Sequence, residues 1–284
     1  MSRPDNLEIV PRSPKFPLLE LLQRQRYWLG GDPVTSHLFN ALQATFPEGE
    51  RFFIDSARDV RDQLPEGSLP ETLARDIQAF IHQEAWHGKA HDEWVQVLEQ
   101  IGYPGMRQFD EQMRKLRLWA REHISPMHRL SMTAGAEHLT ASLARLILYK
   151  RQDLLERAER PVRDLLAWHA LEEVEHKAVC FDLYQQAGGR YGMRSLGLVL
   201  SLFDMLRHLH ERAEYLLRAD GLWTWRNRLR LMGELYGRRG LITSMLPDIL
   251  RYLKPGFHPW ETDERADLQA QFSEVLAPLK QAAA

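Results

Sequence analysis

Residues 80–94 read FIHQEAWHGKAHDEW and contain three histidines. Glu84, His87 and His91 follow one another at spacings of three and four residues. Because an α-helix advances about 100° per residue, positions three, four and seven apart lie on one face of the helix. The stretch therefore predicts a long helix that carries a stripe of proton-binding or metal-binding side chains.

A second stretch, residues 168–181, reads WHALEEVEHKAVCF. His169, Glu173 and His176 repeat the same spacings in reverse order, so they also share one helix face. Small or apolar residues lie near both stripes, which indicates that at least part of each face is interior. Buried carboxylates and imidazoles are costly unless they are paired or bind a metal. The two sets therefore predict one metal site shared between two helices.

Single glutamates complete this pattern. Dinuclear carboxylate bundles take a Glu-x-x-His motif from each of two helices and one glutamate from each of the other two. Glu50 precedes Phe53 and Ile54 on an apolar face, and Glu137 lies in an alanine-rich helix centre. The order along the chain is then the order that an antiparallel ferritin-like bundle requires. The predicted metal-site residues are Glu50, Glu84, His87, His91, Glu137, His169, Glu173 and His176.

Helical periodicity dominates the rest of the chain, and no period-two strand pattern is convincing. The predicted fold class is all-α, a ferritin-like four-helix bundle with additional C-terminal helices. We expect an N-terminal arm over residues 1–34 and a C-terminal helix over 263–284. Between them lies a metal-binding helical domain over 35–262, with a core bundle at about 35–189 and appended helices at about 190–262.

Composition limits the classes of partner and compartment. The formal net charge of −2 gives no reason to expect a nucleic-acid partner. The single cysteine excludes an internal disulfide framework and is compatible with a reducing compartment. The most apolar stretch, residues 195–203, is much shorter than the roughly 20 residues that span a bilayer, and the N-terminus lacks the apolar segment of a secretory signal. We therefore expect a cytoplasmic protein.

Several segments together resemble a bacterial family labelled predicted metal-dependent hydrolases. The resemblance covers roughly residues 25–262. The segments that carry it are ALQATFPEGERFF, FIHQEAWHGKAH, AEHLTASLA, WHALEEVEHKAVCFDLY and YLKPGFHPW.

The ligand pattern is also similar to that of di-iron N-oxygenases of the p-aminobenzoate type. Those enzymes carry a His-x-x-x-Glu-x-x-His segment on the last bundle helix, which His169, Glu173 and His176 match. The resemblance implies that Glu84 and His87 form the other motif and that Glu50 and Glu137 are the single carboxylates. It leaves His91 as an extra residue, either a ligand or a hydrogen-bonding group in the interior.

Oxygen and nitrogen ligands suit iron or manganese better than a thiolate-binding metal. We expect two iron ions, with a mixed Mn/Fe pair or zinc as alternatives. The preferred function is an O₂-activating oxygenase or oxidase that acts on a small organic substrate and draws on an electron donor. A metal pair that activates water for hydrolysis is the second candidate, and metal storage is the non-enzyme alternative. Homodimer formation and contact of residues 222–240 with a membrane surface stay open, with membrane contact not favoured.

Overall fold

The computed structural model describes residues 3–265, and this part of the chain is built from helices without a β-strand. A π-helical turn covers Leu146–Lys150 and a short 3₁₀ helix covers Pro259–Glu261. The α-helices are α1 (Leu18–Arg24), α2 (Pro33–Gln43), α3 (Phe46–Arg61), α4 (Glu71–Gln100), α5 (Gly105–His123), α6 (Pro126–Arg145), α7 (Gln152–Arg157), α8 (Arg160–His176), α9 (Val179–Gln186), α10 (Tyr191–Ala219), α11 (Trp225–Tyr236) and α12 (Leu241–Tyr252).

Four long segments enclose a common interior: α3, α4, α6 and the pair α8–α9. Helix α3 packs against α4 and α6, while α8 and α9 pack against both α4 and α6. Local sequence determines where several of these helices begin, because proline costs no hydrogen bond in a first turn. Pro47 lies in the first turn of α3, and Ser125 caps α6 by accepting a hydrogen bond from the His128 backbone. The all-α prediction is confirmed, and the fold is a helical bundle.

Helix α10 covers the side of α6 that faces away from the bundle. The two helices approach closely where glycine leaves room for backbone. A Cβ atom on Gly197 would lie 2.3 Å from the Ser131 carbonyl oxygen, and one on Gly135 would lie 2.6 Å from Leu198 Cα. Helix α6 is therefore enclosed on two sides, which explains its small side chains and places Glu137 deep in the molecule.

Two helices are interrupted where the sequence pattern favours continuity. The pattern predicts one helix from Pro161 to about residue 187, but α8 ends at His176 and α9 begins at Val179. At this turn Lys177 Nζ donates to the Thr262 carbonyl oxygen (2.6 Å) and to Glu264 (2.9 Å). A second predicted helix, residues 126–150, gives way after Arg145 to the π-helical turn.

The N-terminal arm lies against the bundle. Leu7 and Ile9 are buried in the main hydrophobic core, and Arg3 pairs with Asp76 on α4. Helix α1, within the predicted arm, was not anticipated by the sequence pattern. Of the predicted C-terminal helix, residues 266–284 lie outside the described residues, and the proposed division into arm, domain and tail stays a prediction.

Residues 3–265 contain no helix with the length and hydrophobicity needed to cross a bilayer.

Candidate metal centre

All eight predicted site residues meet in the interior between α3, α4, α6 and α8. Each of them is buried, His169 being the most exposed at 7%. Helix α4 contributes Glu84, His87 and His91, and α8 contributes the second stripe. The helical spacing explains this convergence, because each stripe lies on the face that its helix turns toward the bundle axis.

One group of ligand atoms forms around His176. Glu84, Glu173 and His176 each offer an atom within 4.8 Å of the others. His176 Nε2 lies 3.2 Å from Glu84 Oε1 and 3.2 Å from Glu137 Oε2. These are the residues that could hold one metal ion.

A second group forms around His87. His87 combines with Glu50 and Glu84, and it also combines with His169 and Glu173. In each combination the ligand atoms lie within 4.8 Å of one another. His87 Nδ1 lies 3.4 Å from Glu84 Oε1 and 3.5 Å from Glu173 Oε1. Glu84 and Glu173 therefore belong to both groups.

The inward-facing polar atoms of this cluster lack hydrogen-bond partners among the described residues. They include both carboxylate oxygens of Glu50, Glu84 and Glu137, together with His87 Nδ1 and His176 Nε2. Leaving a buried polar atom unsatisfied costs roughly 1–3 kcal/mol, and more for a charged group. A bound metal cation would offset the carboxylate charge and coordinate the free atoms, so these residues fit a metal site.

Outward-facing nitrogens fix the orientation of two histidines. His87 Nε2 donates to Glu172 Oε2 (3.0 Å), and His176 Nδ1 donates to Gln83 Oε1 (2.9 Å). This leaves the other nitrogen of each ring free toward the cluster. Metal-binding histidines commonly use the second ring nitrogen in this way, because the hydrogen bond sets the tautomer and the ring orientation.

An arginine from the N-terminal arm supports this outer layer. Arg12 donates to Glu172 (2.9 Å) and, through both terminal nitrogens, to Glu175 (2.9 and 2.8 Å). Gln83 Nε2 also donates to Glu175 (3.0 Å). Helical phase predicts that Glu172 and Glu175 point away from the ligands. The structure shows that they do so into a buried ion-pair network instead of solvent.

Sequence reasoning missed Arg12 and Gln83. Gln83 lies one turn before His87, so its position on α4 was a usable signal. Arg12 carries no such signal, because it lies 160 residues before Glu172 and reaches it only through tertiary packing.

His91 forms a further group of ligand atoms with Glu50 and His169, all within 4.8 Å of one another. Its Nε2 lies 3.2 Å from His169 Nδ1 and 3.3 Å from Glu50 Oε1. His169 Nε2 in turn donates to Glu173 Oε1 (2.9 Å). The Phe46 ring packs on both imidazoles, with centroid distances of 4.9 Å to His91 and 5.5 Å to His169. His91 therefore reaches the cluster through His169 and Glu50, and its role as a ligand stays a prediction.

Burial and mutual repulsion perturb the carboxylates. Burial raises the pKa of Glu137 to about 7 and raises the pKa values of Glu50 and Glu84 well above their ordinary range. Burial would also raise the pKa of Glu173, but His176 and His169 hold it well below its usual value.

The histidines shift in both directions. Burial lowers the pKa of His91 to about 3 and that of His87 well below its ordinary value. For His176, the opposing effect of Glu137 and Glu173 outweighs burial and raises the pKa. Such divergent shifts within one cluster are typical of functional sites.

Comparison with known proteins supports a metal-dependent function. A family model described as "Predicted metal-dependent hydrolase" matches residues 10–263. No curated protein and no solved structure matches the chain.

Proposed function

The chain belongs to the predicted metal-dependent hydrolase family. We propose that it is a dinuclear metal enzyme whose metal is iron and whose reaction uses O₂. Its substrate is a small organic molecule, and an electron donor completes the reaction. Glu50, Glu84, Glu137 and Glu173 supply the carboxylates, and three histidines complete the set: His87, His169 and His176.

One observation carries the proposal. Buried carboxylate oxygens that make no hydrogen bond lie close to imidazole nitrogens that also make none. Glu84 Oε1, for example, lies 3.2 Å from His176 Nε2 and 3.4 Å from His87 Nδ1. Hard oxygen ligands with imidazole favour iron or manganese. A pair of reduced iron ions bound here would supply electrons for the reduction of O₂.

The protein's own residues prepare the site for such chemistry. Phe80 packs edge-on against His176 at a centroid distance of 5.1 Å, and Trp168 packs against His87 at 4.8 Å. These buried rings exclude water from the cluster. Glu172 and Gln83 hold the two imidazoles by their outer nitrogens, which fixes the nitrogen that each ring turns toward the cluster.

Hydrolysis is the second candidate, and the description of the family favours it. A metal pair can lower the pKa of bound water and so generate a nucleophile. This reading predicts turnover of an ester, amide or phosphate without O₂ and without a reductant.

Anaerobic loading with Fe(II) distinguishes the two readings. We expect about two irons per chain, as in other dinuclear carboxylate bundles, and O₂ consumption in proportion to the iron loaded. The zinc-loaded protein is the control, since zinc has no redox chemistry. Substrate cleavage by the zinc form with no O₂ uptake by the iron form would favour the hydrolase. Failure to bind either metal would overturn both.

A further inference from the structure

An apolar cavity of about 240 Å³ lies between α3, α5, α6 and α10. Its walls include Phe52, Phe53, Met113, Leu139 and Met205. We call it the apolar cavity. Its volume exceeds the roughly 150 Å³ of an apolar cavity that binds benzene. At the same volume per atom as benzene in that cavity, it holds about ten non-hydrogen atoms.

The apolar cavity adjoins the proposed metal centre. Gly49 and Ala136 line it, and these residues directly precede Glu50 and Glu137 in the chain. A smaller cavity of about 30 Å³ is lined by His169 and Glu173 themselves. Phe46 and Thr140 line both cavities, so these two side chains stand between the apolar cavity and the ligand cluster.

The charge of the lining restricts what the apolar cavity can accept. Arg117 is the only cation among its lining residues. Its guanidinium is already neutralised, because it pairs with Glu48 at 2.8 Å and with Asp55. An anionic group held within the apolar cavity itself would therefore lose its hydration without gaining a free positive partner there, which is unfavourable.

We propose that the apolar cavity is the substrate pocket of the metal centre and that it accepts uncharged, mainly apolar molecules of about ten non-hydrogen atoms. This inference rests on the proposed function, because it takes the ligand cluster to be the reactive centre. The substrate would approach that centre past Phe46 and Thr140.

Gly49 provides a direct way to fill the pocket. A Cβ atom built on Gly49 meets no heavy atom within 4 Å, so a larger side chain there enters open space. Because Gly49 also lines the apolar cavity, we expect the ring of Gly49→Phe to occupy part of it. Gly192, on α10, also has open space around its Cβ but does not line the cavity. Gly192→Phe is the matched control.

The test uses Co(II)-loaded protein, with 2-naphthol as the uncharged probe. The anion is 2-naphthalenesulfonate, which has the same ring system and coordinates divalent metals only weakly. Calorimetry measures the affinity, and the visible cobalt spectrum reports contact with the metal centre. We expect wild type and Gly192→Phe to bind 2-naphthol with a change in the spectrum. Gly49→Phe should bind 2-naphthol at least about tenfold more weakly, and wild type should bind 2-naphthalenesulfonate at least about tenfold more weakly than 2-naphthol. A tenfold loss corresponds to about 1.4 kcal/mol.

Several outcomes would overturn the inference. These are equal affinity in Gly49→Phe, equal affinity for the anion, or 2-naphthol binding that leaves the cobalt spectrum unchanged. Gly49→Leu is a milder variant should the phenylalanine impair folding, and an affinity equal to wild type there would count equally against the pocket. Wild type that binds 2-naphthol but no cobalt would instead refute the metal centre and leave the ligand class of the cavity standing.

Discussion

Two buried clusters in this molecule combine histidine with carboxylate, and they differ in how their polar atoms are satisfied. Asp220 lies at the C-terminal end of α10, where its Oδ2 accepts hydrogen bonds from Tyr27 (2.9 Å), Tyr103 (2.8 Å) and His37 Nε2 (2.8 Å). Its Oδ1 accepts from Arg26 (2.9 Å). In the ligand cluster between α3, α4, α6 and α8, by contrast, the carboxylate oxygens of residues 50, 84 and 137 make no hydrogen bond within the described chain, although imidazole nitrogens lie 3.2–3.3 Å from them.

The pKa shifts follow the same division. Hydrogen bonds from His37, Tyr103 and Tyr27 outweigh burial and lower the pKa of Asp220. Burial dominates at Glu50 and Glu84 and raises their pKa values. A buried carboxylate with enough donors is stable as an anion, whereas buried carboxylates without donors are neutralised either by a proton or by a bound cation. Satisfaction of the polar atoms, more than burial, therefore distinguishes a candidate metal site from a structural polar cluster.

Glu173→Ala should have the largest effect on metal binding by the ligand cluster. Glu173 belongs to the ligand groups around both His87 and His176, so its removal takes a ligand from both positions, and we expect stoichiometric metal binding to be lost. Metal content after loading and desalting measures the effect. The exposed Glu122 on α5 provides the control, since Glu122→Ala should bind metal like wild type. Full metal content in Glu173→Ala would refute the proposed centre.

Asp220→Ala should have the opposite pattern. It leaves the donors of Tyr27, Tyr103 and His37 without their shared acceptor, so we expect a loss of about 1–3 kcal/mol in the free energy of unfolding. Urea denaturation measures that loss. Metal content should remain that of wild type, and a variant that folds normally but binds no metal would contradict the independence of the two clusters.

Glu172→Gln tests the hydrogen bonds that surround the ligand cluster. The substitution keeps the shape of the side chain but weakens the partner of His87 Nε2. We expect metal affinity to fall by about 10–100-fold, the usual effect of losing such a partner. Competition with a chelator measures the affinity. Glu175→Gln is the matched control, because Glu175 contacts Arg12 and Gln83 but no histidine, and an equal loss in both variants would argue against a specific role for Glu172.

We expect the stability of the protein to depend slightly on pH through His37, which belongs to the cluster around Asp220. Burial lowers the pKa of His37 in the folded protein, although Asp220 opposes the shift. The unfolded chain therefore takes up the proton first as the pH falls below about 6.5. The contribution of His37 to stability is complete above that pH and is lost progressively toward the lower folded pKa.

The free energy of unfolding between pH 8 and pH 5 measures this effect. Wild type should lose more stability on acidification than His37→Gln, by less than about 1.4 kcal/mol per pH unit. Parallel pH profiles for the two proteins would show that His37 does not titrate as expected.

Much of the fold and of the candidate site could be predicted because the relevant signals are local. Spacings of three and four residues define a helix face, so Glu84, His87, Glu173 and His176 could be assigned to interior stripes before any contact was known. Proline and glycine likewise marked the start of α3 and the end of α9. Glu137 was identifiable because burying a lone carboxylate in an alanine-rich helix is unfavourable unless the carboxylate is paired or binds a metal.

The supporting residues and the apolar cavity could not be predicted in this way. Arg12 joins Glu172 across 160 residues, and Asp220 joins His37 across 183. The π-helical turn after α6 and the interruption after His176 also have no local signature.

By itself, the sequence determined the helices, the faces they bury and the residue types on those faces, since all three depend on spacing along one helix. Only the tertiary structure decided which imidazole nitrogen faces the centre, which carboxylates lack donors and where an apolar cavity meets them. Those properties depend on distances between helices, and no local pattern encodes such distances.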